Sequence, residues 1–112
     1  MTISYLKLLA NSGMALALLG LSCASFAADH VVEQRNLDFS IKKLAIKVGD
    51  SVTFKNEDSV VHNVYSLSDA HTFDLGGSPK GKSKSVSFDK AGTIEVECAV
   101  HPQMKMIIEV KK

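Results

Sequence analysis

The stretch Cys98-Ala99-Val100-His101-Pro102-Gln103-Met104 places a thiol, an imidazole and a thioether close together near the end of the chain. Thiolate, imidazole and a weakly held thioether form the ligand set of electron-transfer copper sites, which use two His, one Cys and an axial Met. A second His is available upstream, in Val61-His62-Asn63-Val64. The sequence therefore predicts a mononuclear copper site with His62, Cys98, His101 and Met104 as ligands.

Each of these residues also has a simpler interpretation when it is taken alone. Cys98 would serve as a small buried hydrophobic residue, and Met104 as a flexible filler of the core. Met106 has the same strand parity as Met104 and competes with it as the thioether ligand, but it would need a longer loop, so we predict that it belongs to the core. The combined spacing of Cys98, His101 and Met104 favours the metal site.

The sequence around this stretch alternates between apolar and polar residues with a period of two. Such alternation is typical of half-buried antiparallel strands. The apolar members of these patterns are Leu44, Ile46 and Val48; Val52 and Phe54; Val86 and Phe88; Ile94, Val96 and Cys98; and Met104, Met106, Ile108 and Val110. Turn signals separate them at Asn56-Glu57-Asp58, Gly76-Gly77-Ser78-Pro79 and Asp89-Lys90-Ala91-Gly92. The sequence predicts an all-β domain, a Greek-key β-sandwich of seven or eight strands.

The same alternation locates the predicted ligands within the sandwich. Cys98 follows Ile94 and Val96 in the inward-facing set, so it enters the core where its strand ends. His101 lies in the loop that follows, Met104 begins the next strand, and His62 lies on a neighbouring strand. We therefore expect the four ligands to meet at one end of the sandwich.

The first 27 residues have the pattern of a secretory signal peptide rather than of a folded segment. Lys7 precedes an apolar run, residues 8–21, and small residues stand at Ser25 and Ala27. The run is too short to span a bilayer convincingly. We predict cleavage after Ala27, export to the periplasm, and a mature domain of residues 28–112 that does not span the membrane. Lipidation at Cys23 is the alternative, although Gly20 occupies the place where the lipidation motif usually has Leu.

Export bears on the chemistry of Cys98. The mature chain keeps this Cys alone, so it cannot form an intramolecular disulfide, and a free thiol in an oxidising compartment is prone to oxidation unless a metal or another group holds it. The whole chain has 13 Lys and Arg against 12 Asp and Glu, and the leader contains Lys7, so the mature chain is balanced. This balance argues against a nucleic-acid binder.

Cleavage after Ala27 would also create the amino terminus Ala28-Asp29-His30. A free amine, two amide nitrogens and an imidazole in the third position can form a square-planar site that favours Cu(II) or Ni(II). The alternative is that cleavage leaves a His in the third position by chance and that this His binds no metal. The remaining His, His71, lies in a polar segment and is predicted to be solvated.

On three motifs the chain resembles the cupredoxins, the small blue copper proteins, and among them the amicyanin and plastocyanin group. The motifs are Val48-Gly49-Asp50-Ser51-Val52-Thr53-Phe54-Lys55-Asn56, Val61-His62-Asn63-Val64 and the stretch from Cys98 to Met104. The likeness spans about residues 44–110, and the short gap between His101 and Met104 is similar to that of amicyanin. The family usually has Pro just before its first His, where this chain has Val60 and Val61.

The resemblance implies several roles that the spacing alone does not give. Asn63 would tie the His62 strand to the Cys98 loop by hydrogen bonds, and electrons would enter and leave through the exposed ring edge of His101. Resemblance to amicyanin also suggests an amine dehydrogenase and a c-type cytochrome as redox partners.

These observations lead to one main functional hypothesis and one alternative. The main hypothesis is an exported monomeric type 1 copper protein that carries single electrons between a donor and an acceptor protein. All four ligand positions are filled by protein side chains, which leaves no open position for substrate chemistry and argues against an enzyme. The alternative is a periplasmic copper-binding protein for copper tolerance or delivery, with Ala28-Asp29-His30, His71 and Met106 as auxiliary copper groups.

Overall fold

The computed structural model describes residues 26–112. Cys23 and all but the last two residues of the predicted leader lie outside the described residues. The described part contains eight strands. They are β1 (Asp29–Gln34), β2 (Lys43–Lys47), β3 (Ser51–Asn56), β4 (His62–Ser66), β5 (Phe73–Ser78), β6 (Ser83–Ser87), β7 (Gly92–Glu97) and β8 (Lys105–Lys111). The all-β fold predicted from the alternation is confirmed.

The strands form two sheets that enclose one hydrophobic core. One sheet has the order β1-β3-β6, and the other has the order β2-β8-β7-β4-β5. The apolar side chains of the core are Val32, Phe39, Ile46, Val52, Phe54, Val64, Phe88, Ile94, Val96, Cys98, Met104, Met106, Ile108 and Val110. Side chains from both sheets contribute to this set, as expected for a sandwich.

The prediction of antiparallel strands is wrong at two pairings. β1 runs parallel to β3 and β2 runs parallel to β8, so both sheets are mixed. Period-two alternation determines which face of a strand is buried, but it carries no information on the direction of the neighbouring strand. Val48 also differs from the prediction, because it lies beyond the end of β2 and is exposed.

Of the turn predicted at residues 76–79, the first three residues are instead the end of strand β5, whereas Pro79 begins the turn that follows, in which the amide of Lys82 donates to its carbonyl. Gly76 has a φ of 74°, in the left-handed region that Gly adopts readily. It lies where the pairing of β5 with β4 shifts register, between the partners of Asn63 and Tyr65. The glycines therefore make an irregularity within the strand rather than a hairpin loop.

Close packing at the start of β7 gives a first testable prediction. A Cβ atom built on Gly92 would lie 2.5 Å from the Cβ of Ala70. Gly92→Ala should therefore lower the free energy of unfolding by about 1–3 kcal/mol through overpacking, as measured by urea denaturation. The double variant Gly92→Ala, Ala70→Gly removes the clash and should recover the part of the loss that comes from it, whereas the φ of 157° at residue 92 stays unfavourable for Ala. Additive effects of the two substitutions would contradict overpacking as a cause.

Candidate metal centre

His62 is the first residue of β4, and its side chain is completely buried. Its imidazole packs edge-on against that of His101, with 4.8 Å between ring centroids. The two Nδ1 atoms face each other at 3.0 Å. The strand from which His62 projects thus presents one imidazole nitrogen to the loop that follows β7.

Cys98 directly follows β7 and is completely buried, as its parity with Ile94 and Val96 predicts. Its Sγ lies 3.9 Å from Nδ1 of His62 and 3.9 Å from Nδ1 of His101. The three donor atoms lie within 4.8 Å of one another. Two imidazole nitrogens and one thiol sulfur that converge on one point match the trigonal ligand set of electron-transfer copper.

Two backbone hydrogen bonds close the loop that carries Cys98 and His101. The amide of Cys98 donates to the carbonyl of Met104 at 3.3 Å, and the amide of Met104 donates to the carbonyl of His101 at 2.9 Å. Met104 is completely buried, and Met106 is nearly so. Burial alone therefore does not separate the two thioethers, but the hydrogen bond to His101 places Met104 within the loop.

Asn63 lies next to His62 and connects its strand to the same loop. Its Oδ1 accepts a hydrogen bond from the amide of Ala99 at 2.5 Å, and its carbonyl accepts one from Nε2 of the buried Gln34 at 3.2 Å. Contacts of this kind hold metal ligands in orientation.

Asp58 is a functional candidate that sequence reasoning missed. Its Oδ2 lies 2.7 Å from Nε2 of His62, on the side of the ring away from Cys98. The carboxylate also accepts hydrogen bonds from the amides of Asn36 and Leu37, two non-glycine residues with positive φ. Partial burial opposes ionisation of Asp58, but the hydrogen bonds from His62, Leu37 and Asn36 outweigh it and lower its pKa.

The predicted amino-terminal metal group lies elsewhere, in the three-stranded sheet. Nε2 of His30 is 3.0 Å from Oδ2 of Asp50, and the amide of Ala28 donates to Oδ1 of Asp50 at 2.9 Å. The carboxylate of Asp29 accepts hydrogen bonds from hydroxyl groups of β3. All three residues thus have protein partners, and Cu(II) binding by this group stays a prediction that requires their release.

The environment of Asp50 predicts how stability depends on pH. Hydrogen bonds from the amides of Ala28 and Lys47 and from His30 lower the pKa of Asp50 from 3.8 to about 2. Because the folded state holds this carboxylate ionised, its contribution to stability is present above about pH 4 and is lost as the pH falls towards 2. Asp50→Asn should make the free energy of unfolding less dependent on pH in this window, as measured by urea denaturation at several pH values. An unchanged pH dependence would contradict this assignment.

His71 is not the solvated side chain that its polar surroundings predict. It is half-buried, and its ring packs against Phe73 and Phe88 with centroid distances of 5.7 and 5.0 Å. Ser and Asp neighbours in the sequence gave no sign of this aromatic environment, which the fold creates by bringing β5 close to Phe88.

Comparisons with known proteins agree with the geometry of the site. A family model described as copper binding proteins, plastocyanin/azurin family, matches residues 27–111. Methylamine utilization protein MauL of Methylorubrum extorquens is 28% identical over 98 residues, which cover 87% of this chain and 86% of that protein. Amicyanin of Paracoccus denitrificans is 31% identical over 84 residues, or 70% of this chain and 64% of that protein.

The fold is also similar to that of a solved copper protein. A Cu(I) structure of an amicyanin mutant superposes with a TM-score of 0.69 at 27% identity, covering 80% of this chain and 87% of the other.

Among residues 26–112, no helix has both the length and the apolar character needed to cross a membrane.

Proposed function

Because the chain belongs to the plastocyanin/azurin family of copper-binding proteins and is a copper electron carrier rather than an enzyme, we propose that it holds a single type 1 copper and passes one electron at a time between two redox proteins. His62, Cys98 and His101 would bind the copper, with Met104 as the axial ligand. The observation that carries this proposal is the convergence of two Nδ1 atoms and one Sγ within 4.8 Å.

The surrounding residues hold this ligand set in place without help from the metal. Asp58 fixes the far nitrogen of His62, and Asn63 fixes the loop at Ala99. Copper supplies the one-electron redox change when bound. Since hydrogen bonds already restrain the ligands, we expect little rearrangement between oxidation states, which favours rapid electron transfer.

Apolar residues around the site offer a surface for brief protein encounters. His101 is half-buried, and its neighbours Val100 and Pro102 are exposed. Val60 and Val61, which precede His62, are also exposed. The loop between Glu97 and Lys105 contains no Asp, Glu, Lys or Arg, and a small apolar surface of this kind suits the weak, short-lived complexes of electron-transfer proteins.

Charge placed on this surface should slow electron exchange. Val100 is 58% exposed next to His101, so in Val100→Glu two copies of the protein would approach with like charges facing each other. We expect electron self-exchange, measured by NMR line broadening at low ionic strength, to fall about tenfold or more, because each 1.4 kcal/mol of repulsion corresponds to a factor of ten.

The chain offers a matched control for this substitution. Leu67 is 74% exposed and follows the far end of β4 from His62. Leu67→Glu adds the same charge away from the proposed exit route and should leave self-exchange nearly unchanged. Equal slowing by both substitutions would mean that net charge, and not docking at His101, controls the rate.

The relatives and the leader pattern support a proposal for the partners and the location of the protein. MauL is named for methylamine utilization, and its similarity to this chain, together with that of amicyanin, supports an amine dehydrogenase as donor and a c-type cytochrome as acceptor. The signal-peptide pattern supports cleavage after Ala27 and a periplasmic, monomeric mature chain of residues 28–112. The intact mass of the exported protein tests this cleavage position.

The copper-tolerance alternative needs auxiliary copper groups, and each of them has another role in the fold. His71 packs on two Phe rings, Met106 lies in the core, and His30 contacts Asp50. These contacts favour the electron carrier.

Redox titration of the purified copper protein tests the carrier function. We expect one copper per chain, a single one-electron transition and rapid reversible exchange with a small cytochrome c. If the protein binds one copper per chain but exchanges electrons with the cytochrome only over minutes, the electron-carrier function would be refuted. The copper-tolerance alternative would then remain.

A further inference from the structure

The amino-terminal end of the domain is held at a carboxylate that the copper site does not use. Asp50 is 5% exposed, and its two oxygens have separate partners. Oδ1 accepts from the amide of Ala28 at 2.9 Å, whereas Oδ2 faces Nε2 of His30 and the amide of Lys47, both at 3.0 Å. A carboxylate with so little exposure is stabilised when a cation pairs with it.

The donor at Oδ1 is the nitrogen that cleavage after Ala27 would turn into the amino terminus. In this hydrolysis by a signal peptidase, water adds across the Ala27–Ala28 peptide bond. Ala27 leaves with a carboxylate, and the nitrogen of Ala28 becomes an amine that is protonated near neutral pH. The amide next to Oδ1 is thereby replaced by an ammonium group at the same place in the chain.

Contacts that survive cleavage keep Ala28 in this position. Its carbonyl accepts a hydrogen bond from the amide of Ser51 at 2.9 Å, and Asp29 begins the parallel pairing of β1 with β3. The carboxylate of Asp29 is bound to Ser51 and Thr53, so it does not compete for the new ammonium group.

We propose that Asp50 is the docking site for the amino-terminal ammonium group of the mature chain, so that processing completes an ion-paired cluster of Ala28, His30 and Asp50. This inference rests on the proposed export and cleavage after Ala27. Lys47 and Lys112 line the same recess as Asp50, and His30 contacts its Oδ2, so basic side chains also lie near the docked amine.

Docking at Asp50 also works against Cu(II) binding by Ala28-Asp29-His30. That binding would need the amine, two backbone nitrogens and the imidazole at once, whereas the fold commits the amine and imidazole to Asp50 and the backbone to the sheet. The mature chain should therefore hold copper at the His62–Cys98–His101 site and keep its amino terminus free of it.

The reactivity of the amino terminus tests this proposal. The exported, copper-loaded protein is identified by intact mass as starting at Ala28 and is then treated at pH 7 with an N-hydroxysuccinimide ester of acetic acid. Pairing with Asp50 should raise the pKa of the amine, which lowers the fraction of reactive free amine, and we expect a reduction of about tenfold. Acetylation of Ala28, followed by mass spectrometry with lysines as internal standards, should thus be about tenfold slower than in Asp50→Asn.

Two further variants make the result decisive. Asp29→Asn removes a nearby carboxylate that does not face the amine, and it should leave the slow rate unchanged. A chain that starts at Ala27 keeps Asp50 but displaces the amine by one residue, so its amine should react as fast as that of Asp50→Asn. This chain provides the comparison even if Asp50→Asn does not fold. Equal acetylation rates for the Ala28 and Ala27 starts would overturn the proposal.

The visible spectrum of each variant reports the copper site separately. An intact spectrum together with equal acetylation rates would reject docking and leave the electron carrier standing. A different first residue in the intact mass would reject the cleavage position and, with it, the docking site.

Discussion

Replacing Cys98 with serine is expected to abolish the intense visible absorption of the copper protein. This absorption arises from charge transfer between a thiolate and Cu(II), and Cys98 is the one Cys in residues 28–112, the proposed mature chain. Serine keeps the approximate shape of the side chain but offers a hard oxygen in place of a soft sulfur. Absorption spectra and electron paramagnetic resonance of Cu(II)-loaded protein would measure the loss.

Copper affinity should fall together with the absorption. Loss of a partner outside the ligand set typically costs about 10–100-fold in metal affinity, and we expect loss of the thiolate itself to cost at least as much. Competition with a Cu(I) chelator measures the change. Retention of the absorption band in Cys98→Ser would refute the proposed ligand set, because residues 28–112 contain no other Cys.

Methionine substitutions provide the control for this experiment and separate the two thioethers. Leucine conserves the volume of Met within the core, so neither Met104→Leu nor Met106→Leu should abolish the absorption band. Met104→Leu should shift the reduction potential because it removes the proposed thioether ligand, whereas Met106→Leu should leave the potential close to that of the wild type. The opposite pattern would make Met106 the ligand.

Much of the fold could be predicted because burial follows simple alternation in the strands near the site. Ile94, Val96 and Cys98 are all buried, as period two requires. Alternation did not predict β1 or β5, because their sequences do not alternate cleanly between apolar and polar residues. The glycines of β5 also resemble a turn signal. Strand direction was not predictable either, since parallel and antiparallel partners bury the same face.

The convergence of His62, Cys98 and His101 could also be expected from the sequence, because strand parity directs Cys98 inward and the short loop returns His101 towards it. Asp58 could not be identified in the same way. It occupies a polar turn, where Asp is ordinary, and its importance arises from folding, which brings the segment at Asn36 and Leu37 against the turn that precedes β4. The i,i+4 spacing of Asp58 and His62 was the one available signal.

Removing the carboxylate of Asp58 is therefore expected to have the second large effect. Asp58→Ala deletes the acceptor for Nε2 of His62, which lies 2.7 Å away, and frees the imidazole to rotate. Outer partners of this kind fix the orientation of a ligating His and increase its basicity, so we expect copper affinity to fall about 10–100-fold and the reduction potential to change. Chelator competition and a redox titration measure the two quantities.

Three further variants separate the bond to His62 from other effects of the substitution. Asp58→Asn keeps an oxygen acceptor but removes the charge, and it should lose less affinity than Asp58→Ala. Glu57→Gln removes the neighbouring carboxylate, which pairs with Lys55, and should have little effect. Leu37→Gly removes the strain of a side chain at φ 57° and keeps both the carboxylate and the backbone amide that donates to it.

The comparison of Leu37→Gly with Asp58→Ala decides how Asp58 acts. If the carboxylate works through its hydrogen bond to His62, Leu37→Gly keeps wild-type copper affinity and potential while Asp58→Ala loses them. If Asp58 serves only to anchor the Asn36–Leu37 segment, Asp58→Ala lowers stability without changing the potential, and Leu37→Gly, which keeps the anchoring amide, lowers neither. We expect the first pattern, because the imidazole of His62 is completely buried and Asp58 is the hydrogen-bond partner of its Nε2.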